Sequence, residues 1–228
     1  MRIVLLVAVL VIAGCDSQPP KTAADVNQII RLADEAMHVV QKISAGAPAA
    51  DVDAAVEQMN AALDTARAQI EAVGRRISVA KYYGRGSIDP RDLGACIDTV
   101  INTPLLGRMP NDIRGPLLMS TVECVSKMSA YFSLASGEDA AAVALAISVI
   151  DPLLMVAEAQ GGVPAESRLA DYRASSQEIL AKLASECGDH PAGAEQMSYE
   201  CAAYEVARSV EPKLATFAAE LPTAQPAQ

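Results

Sequence analysis

From Val26 onward, apolar side chains recur at alternating spacings of four and three: Val26, Ile30, Ala33, Met37 and Val40, with Ser44 completing the row. That rhythm is one stripe of an α-helix and predicts a helix over 25–44. Ala45-Gly46-Ala47-Pro48 interrupts it. Val52, Val56, Met59, Leu63, Ala66, Ile70, Val73, Ile77 and Ala80 then hold the same period through almost four heptads. Two such helices joined by a short Gly/Pro turn read as an antiparallel hairpin. The small Ala positions and the shorter first helix favour an internal core over an oligomerisation seam.

Gly84-Arg85-Gly86 ends this segment, and Asp89-Pro90 opens the next helix as N-cap and first-turn proline. Its predicted buried face is Leu93, Cys96, Ile97, Val100 and Ile101. Residues 102–116 hold three prolines and two glycines and read as a loop. Its stranded apolar residues Leu105, Leu106 and Met109 form either a lid on the core or an exposed tip. A helix over about 117–134 follows, with Leu118, Val122, Val125, Met128 and Phe132 inward. Ser136 and Asp139 suggest a capping box for a helix through Val149, with Asp151-Pro152 as a kink or restart. Leu169, Tyr172, Ser176, Ile179, Leu183 and Cys187 mark another helix, and a last one spans roughly 195–220 with a kink expected at Pro212. No segment alternates β-formers with period two. The expected fold is all-α: a bundle of about seven helices beginning with the heptad hairpin and occupying 25–220, with a loose tail at 221–228.

Composition agrees with this pattern. Of 228 residues, 51% are hydrophobic and only 4% aromatic, and alanine, the strongest helix former, dominates. Twenty-eight acidic against 18 basic side chains leave a net charge of -10. Such a chain lacks the basic face that nucleic-acid binding needs. Its partners are expected among basic proteins, whose approach an acidic surface accelerates.

The amino terminus carries an address. Arg2 precedes an apolar run from Ile3 to Ala13, too short to span a bilayer but the length of a signal-peptide core. It closes in Ile12-Ala13-Gly14-Cys15, which resembles the lipobox of bacterial lipoproteins. The resemblance implies cleavage after residue 14, acylation of Cys15, a tether over 15–24 and a membrane-anchored envelope protein. Asp16 resembles the retention signal of inner-membrane lipoproteins in enteric bacteria, so the periplasmic face of the inner membrane is favoured over the outer membrane.

With Cys15 lipidated, Cys96, Cys124, Cys187 and Cys201 remain, an even number suited to disulfides in an oxidising compartment. Antiparallel packing of consecutive helices sets Cys96 and Cys124 at similar heights. Cys187 and Cys201 flank the breaker-rich Gly188-Asp189-His190-Pro191 stretch. Sequential pairing, Cys96–Cys124 and Cys187–Cys201, is expected. No Cys-x-x-Cys spacing is present and His38 and His190 lie far apart, so neither a metal nor any other cofactor is expected.

The chain has no nucleophile elbow, phosphate-binding glycine loop or His-Glu-x-x-His motif, and a non-enzymatic binder is the expected class. One segment departs from the acidic background, with Arg75, Arg76, Lys81, Tyr82, Tyr83 and Arg85 clustered near the end of the second helix. Three readings stand: a solvated helix end whose cations suit the dipole, a protein contact rich in hot-spot residue types, or a contact with anionic headgroups. Residues 187–214 also resemble the Cys-bounded helical motif of LprI-type lysozyme-inhibitor domains, through Gln196, Met197, Cys201, Ala202, Tyr204, Ala207 and Leu214. The Met-to-Cys spacing is one residue longer here. That resemblance implies an inhibitor or immunity-type protein neutralising a toxin or wall-degrading enzyme. The alternative is an accessory or scaffold lipoprotein of an envelope or secretion assembly.

Overall fold

The computed structural model describes residues 22–82, 88–102, 111–160, 169–188 and 196–220. Across them run seven helices: α1 (Ala23–Ser44), α2 (Ala49–Ser78), α3 (Pro90–Asn102), α4 (Asn111–Leu134), α5 (Glu138–Gln160), α6 (Leu169–Cys187) and α7 (Tyr199–Glu220). The all-α architecture is as the periodicity predicts.

α1 begins two residues earlier than the predicted start at 25, because Thr22 and Asp25 form a capping box. The Asp25 backbone N–H donates to Thr22 Oγ1 at 3.2 Å, and the Thr22 N–H returns to the Asp25 carboxylate at 3.2 Å. Gly46, at φ 65°, lets the chain reverse into α2. The hairpin is antiparallel, with Gln69 Nε2 donating to Asp25 Oδ1 at 3.1 Å. Its heptad positions Met37, Val40, Met59, Leu63, Ala66, Ile70, Val73 and Ile77 are all buried in the common core.

The centre of the bundle is α5, packed by α1, α2, α4 and α7. Every residue from Asp139 to Glu158 is buried. With a mean hydropathy of 2.2 over its apolar window, α5 is long and apolar enough to cross a membrane, yet that window is wholly enclosed by protein. A helix surrounded on all sides needs no polar face, which is why it shows almost no amphipathic rhythm. α7 lies parallel to it. Gly137, just before α5, approaches Glu200 near the start of α7, and eleven residues further along each helix Ser148 Oγ donates to Glu211 Oε1 at 3.3 Å.

Several sequence expectations shift. Of the two readings of Asp151-Pro152, the restart is excluded, since α5 continues through Pro152 to Gln160. The missing proline N–H forfeits one bond to the Ser148 carbonyl, a local loss offset by packing on every side. α4 starts at Asn111 with Pro116 inside it, so the predicted loop 102–116 is shorter than expected. The inward face of α4 is Thr121, Cys124, Met128, Tyr131 and Phe132, while Val122 and Val125 are only half-buried. α7 starts at Tyr199 rather than near 195 and holds Pro212 within its span. Leu105, Leu106, Met109 and Leu118 lie outside the residues whose side chains are described.

Both disulfides pair sequentially. Cys96–Cys124 ties α3 to α4 with the Cα atoms 6.4 Å apart, and Cys187–Cys201 ties the end of α6 to the start of α7 at 4.6 Å.

Candidate functional site

The basic cluster sits where α2 ends against the beginning of α5, and the structure divides its members by role. Arg76 turns inward. Its Nη2 lies 2.7 Å from Asp139 Oδ1 and its Nε donates to Glu138 Oε2 at 3.3 Å. The second Asp139 oxygen accepts the Lys81 backbone N–H at 3.0 Å, and the Lys81 carbonyl accepts the buried Tyr131 hydroxyl at 2.6 Å. Asp139 is therefore committed to the junction with α2 rather than to the capping box expected with Ser136. The first bond of the helical ladder runs from the Ala141 N–H to the Gly137 carbonyl at 3.0 Å.

Tyr199 is buried beside this junction. Burial holds its hydroxyl above the ordinary phenol range, with Glu138 adding to the effect and Arg76 opposing it. Arg76, the Lys81 main chain and Tyr131 thus fix how the α2 end meets α4 and α5. Because Arg76 and Asp139 are largely shielded from water, removing either one would leave the other's charge poorly solvated, which is how the pair fixes the junction.

Of the other described members, Arg75, Lys81 and Tyr82 face solvent. Arg75 projects outward with only a 3.8 Å pairing to Glu71 one turn earlier. Val79 is 76% exposed and Tyr82 57% exposed, both unusual for large apolar side chains. They rim a depression of about 650 Å³ completed by Ser78, Ala80, Asp89, Pro90 and Arg91. On its far wall Arg91 Nη2 lies 2.6 Å from Asp89 Oδ2, and Asp89 Oδ1 accepts the Arg91 N–H at 2.9 Å. These bonds from Arg91 hold the Asp89 carboxyl below its ordinary range. Tyr83 and Arg85 fall outside the described residues, as do Cys15 and His190. His38 is half-buried on α1.

Sequence reasoning overlooked Val79, which falls off the heptad row, and Leu134, which is 46% exposed at the end of α4. The detectable signal at Val79 was an apolar residue out of phase with its own stripe. A second, smaller cleft of about 260 Å³ lies between α3 and α4, over the Cys96–Cys124 bridge and beneath Glu123 and Lys127. Among the described residues no group of three or more His, Cys, Asp or Glu is placed to hold a metal ion. Comparison with protein-family models, with curated proteins and with solved structures returns no match.

Proposed function

We propose that the chain is a lipid-anchored protein at the periplasmic face of the inner membrane, and that it binds a basic protein, a toxin or wall-degrading enzyme, as an inhibitor or immunity-type partner. The observation that carries the binding reading is the charge pattern along α2. Asp53, Glu57 and Asp64 are exposed on its outer face, Asp51 is exposed in its first turn, and no Lys or Arg occurs in the helix before Arg67. Over those residues, about 20 Å of helix, every charged side chain of α2 is acidic, with Asp64 paired to Arg67 at the end of the run. That field steers a basic protein toward the hairpin and away from the Arg75–Arg76 end. Two disulfides supply rigidity suited to an oxidising compartment, and Ile12-Ala13-Gly14-Cys15 supplies the anchor.

The test is kinetic and genetic. Replacing Asp53 and Glu57 together by Lys is expected to slow association with the basic partner at least about tenfold at low salt, leaving dissociation nearly unchanged. Deleting the gene is expected to sensitise cells to a toxin or wall enzyme encoded beside it. Unchanged resistance together with loss of an assembled envelope complex would instead support the scaffold reading.

A further inference from the structure

Among the described residues four large apolar side chains are conspicuously exposed: Val79, Tyr82, Met119 and Leu134. Three of them share one end of the bundle. Val79 and Tyr82 follow α2, and Leu134 lies one turn beyond Tyr131, whose hydroxyl is bonded to Lys81. Met119 is fifteen residues back along α4 from Leu134, about 22 Å away.

The same end receives the amino-terminal tether. The Gln69–Asp25 bond sets the first turn of α1 level with Gln69, so α2 runs about nine residues, roughly 14 Å, past that level to Ser78. Seven steps of chain separate Cys15 from Thr22 and can span at most about 23–25 Å. The far end of the hairpin, at the turn after Ser44, is about 33 Å from Thr22, beyond that reach. A lipid on Cys15 therefore keeps the bilayer near Val79, Tyr82 and Leu134.

We infer that this end docks on the phospholipid surface, with Val79 and Leu134 at the acyl boundary, Tyr82 at headgroup level and Arg75 and Arg91 near the phosphates. The inference rests on the lipidation of Cys15. Tyrosine suits that depth because its ring is apolar and its hydroxyl polar. Arginine pairs with phosphate oxygens without losing charge. Glu138, Asp89 and Asp92 lie at the same end and offset much of the positive charge. Binding is then driven mainly by apolar area and depends only weakly on anionic lipid. A basic protein partner fits here poorly, because the exposed Arg75, Lys81 and Arg91 all face it.

The chain has no tryptophan, so Tyr82→Trp installs a single reporter at the edge and Gln58→Trp one on the outer face of α2, twenty residues from Ser78. Each variant, isolated from membranes with its amino terminus intact, is placed in vesicles of mostly phosphatidylethanolamine with a minority of phosphatidylglycerol. The vesicles are prepared with and without bromine on the upper acyl chain. Docking predicts at least about twofold quenching by brominated lipid at position 82 and none at 58. Protein that sediments with the vesicles but shows equal emission in both lipids at position 82 overturns docking and leaves the anchor intact. A mature mass without acyl chains, with the protein left in the supernatant, overturns the anchor and docking together. Position 82 unquenched on vesicles but crosslinked to a purified protein partner reassigns the edge to that protein.

Discussion

Reduction of both disulfides is expected to remove about 6.5 kcal/mol of stability, a large share of what a domain of this kind has. The bridges close loops of 28 and 14 residues in sequence separation. Loop-closure entropy assigns about 3.5 kcal/mol to Cys96–Cys124 and about 3 to Cys187–Cys201. The typical domain has only about 5–15 kcal/mol to lose. Their positions make the loss structural as well as entropic. α3 lies chiefly on α2, so Cys96–Cys124 is its main tie to α4. Cys187–Cys201 holds the end of α6 against the start of α7. Urea unfolding of oxidised protein, of reduced protein and of the two paired Cys→Ser variants measures each contribution. Equal midpoints for oxidised and fully reduced protein, with four free thiols verified by alkylation, would contradict this account.

The second large effect is at Gly94, where α3 crosses α2. A β-carbon there would collide with Ser78 Oγ and lie 2.8 Å from the Gly74 carbonyl oxygen. The hydroxyl is itself engaged, donating to that carbonyl at 3.0 Å, and a helix carbonyl cannot step aside. Gly94→Ala is expected to cost about 2 kcal/mol net, overpacking outweighing the gain in helix propensity. Gly74→Ala is the internal control. Its β-carbon would meet Ile97 and Asp98 at an ordinary 3.6 Å, so the variant is expected to be neutral or more stable by up to about 1 kcal/mol. Thermal melts of the pair, both read at the wild-type midpoint, separate close helix approach from helix propensity. Equal shifts of the same sign would show that the two glycines do not differ as the crossing requires.

What could be read in advance follows from which physical signals are local. The heptad rows of α1 and α2 and the 3–4 spacing of α3 record burial against one neighbour, and most members of the rows are buried. Ile29, Leu32, Ala36 and Val39 are buried off the α1 row because α5 and α7 cover further sides of it, while Val52 and Val56 of the α2 row are only half-buried. The disulfide pairing followed from the same helix registers. The continuity of α5 was left open in the sequence, between a kink and a restart at Asp151-Pro152, because a fully buried helix carries no polar face to count on either side of that signal. In an isolated helix that signal would decide. Inside the bundle, packing from four neighbouring helices outweighs one lost backbone bond. Pro116 misled the start of α4 in the same way.

The basic cluster was visible as composition but not as geometry. Arg75 and Arg76 are neighbours in sequence, yet about 100° of helical rotation puts one in solvent and the other against Glu138 and Asp139. Asp139 belongs to a helix some sixty residues away. No local pattern announces a long-range ion pair, so its carboxylate read as a cap. Leu134 is exposed at the same end only because α4 and α2 finish together, which is a fact of topology.

The central claim is that this helical domain is held at a membrane by a lipid on Cys15. Its most direct test is the intact mass and amino-terminal peptide of the mature protein from fractionated cells, alongside Cys15→Ala. The account predicts membrane-bound protein beginning at Cys15 with acyl chains attached, and a Cys15→Ala form that keeps its uncleaved precursor mass and loses the acyl chains. A wild-type protein beginning at any other residue, or a Cys15→Ala variant that matures and partitions as wild type does, would contradict it.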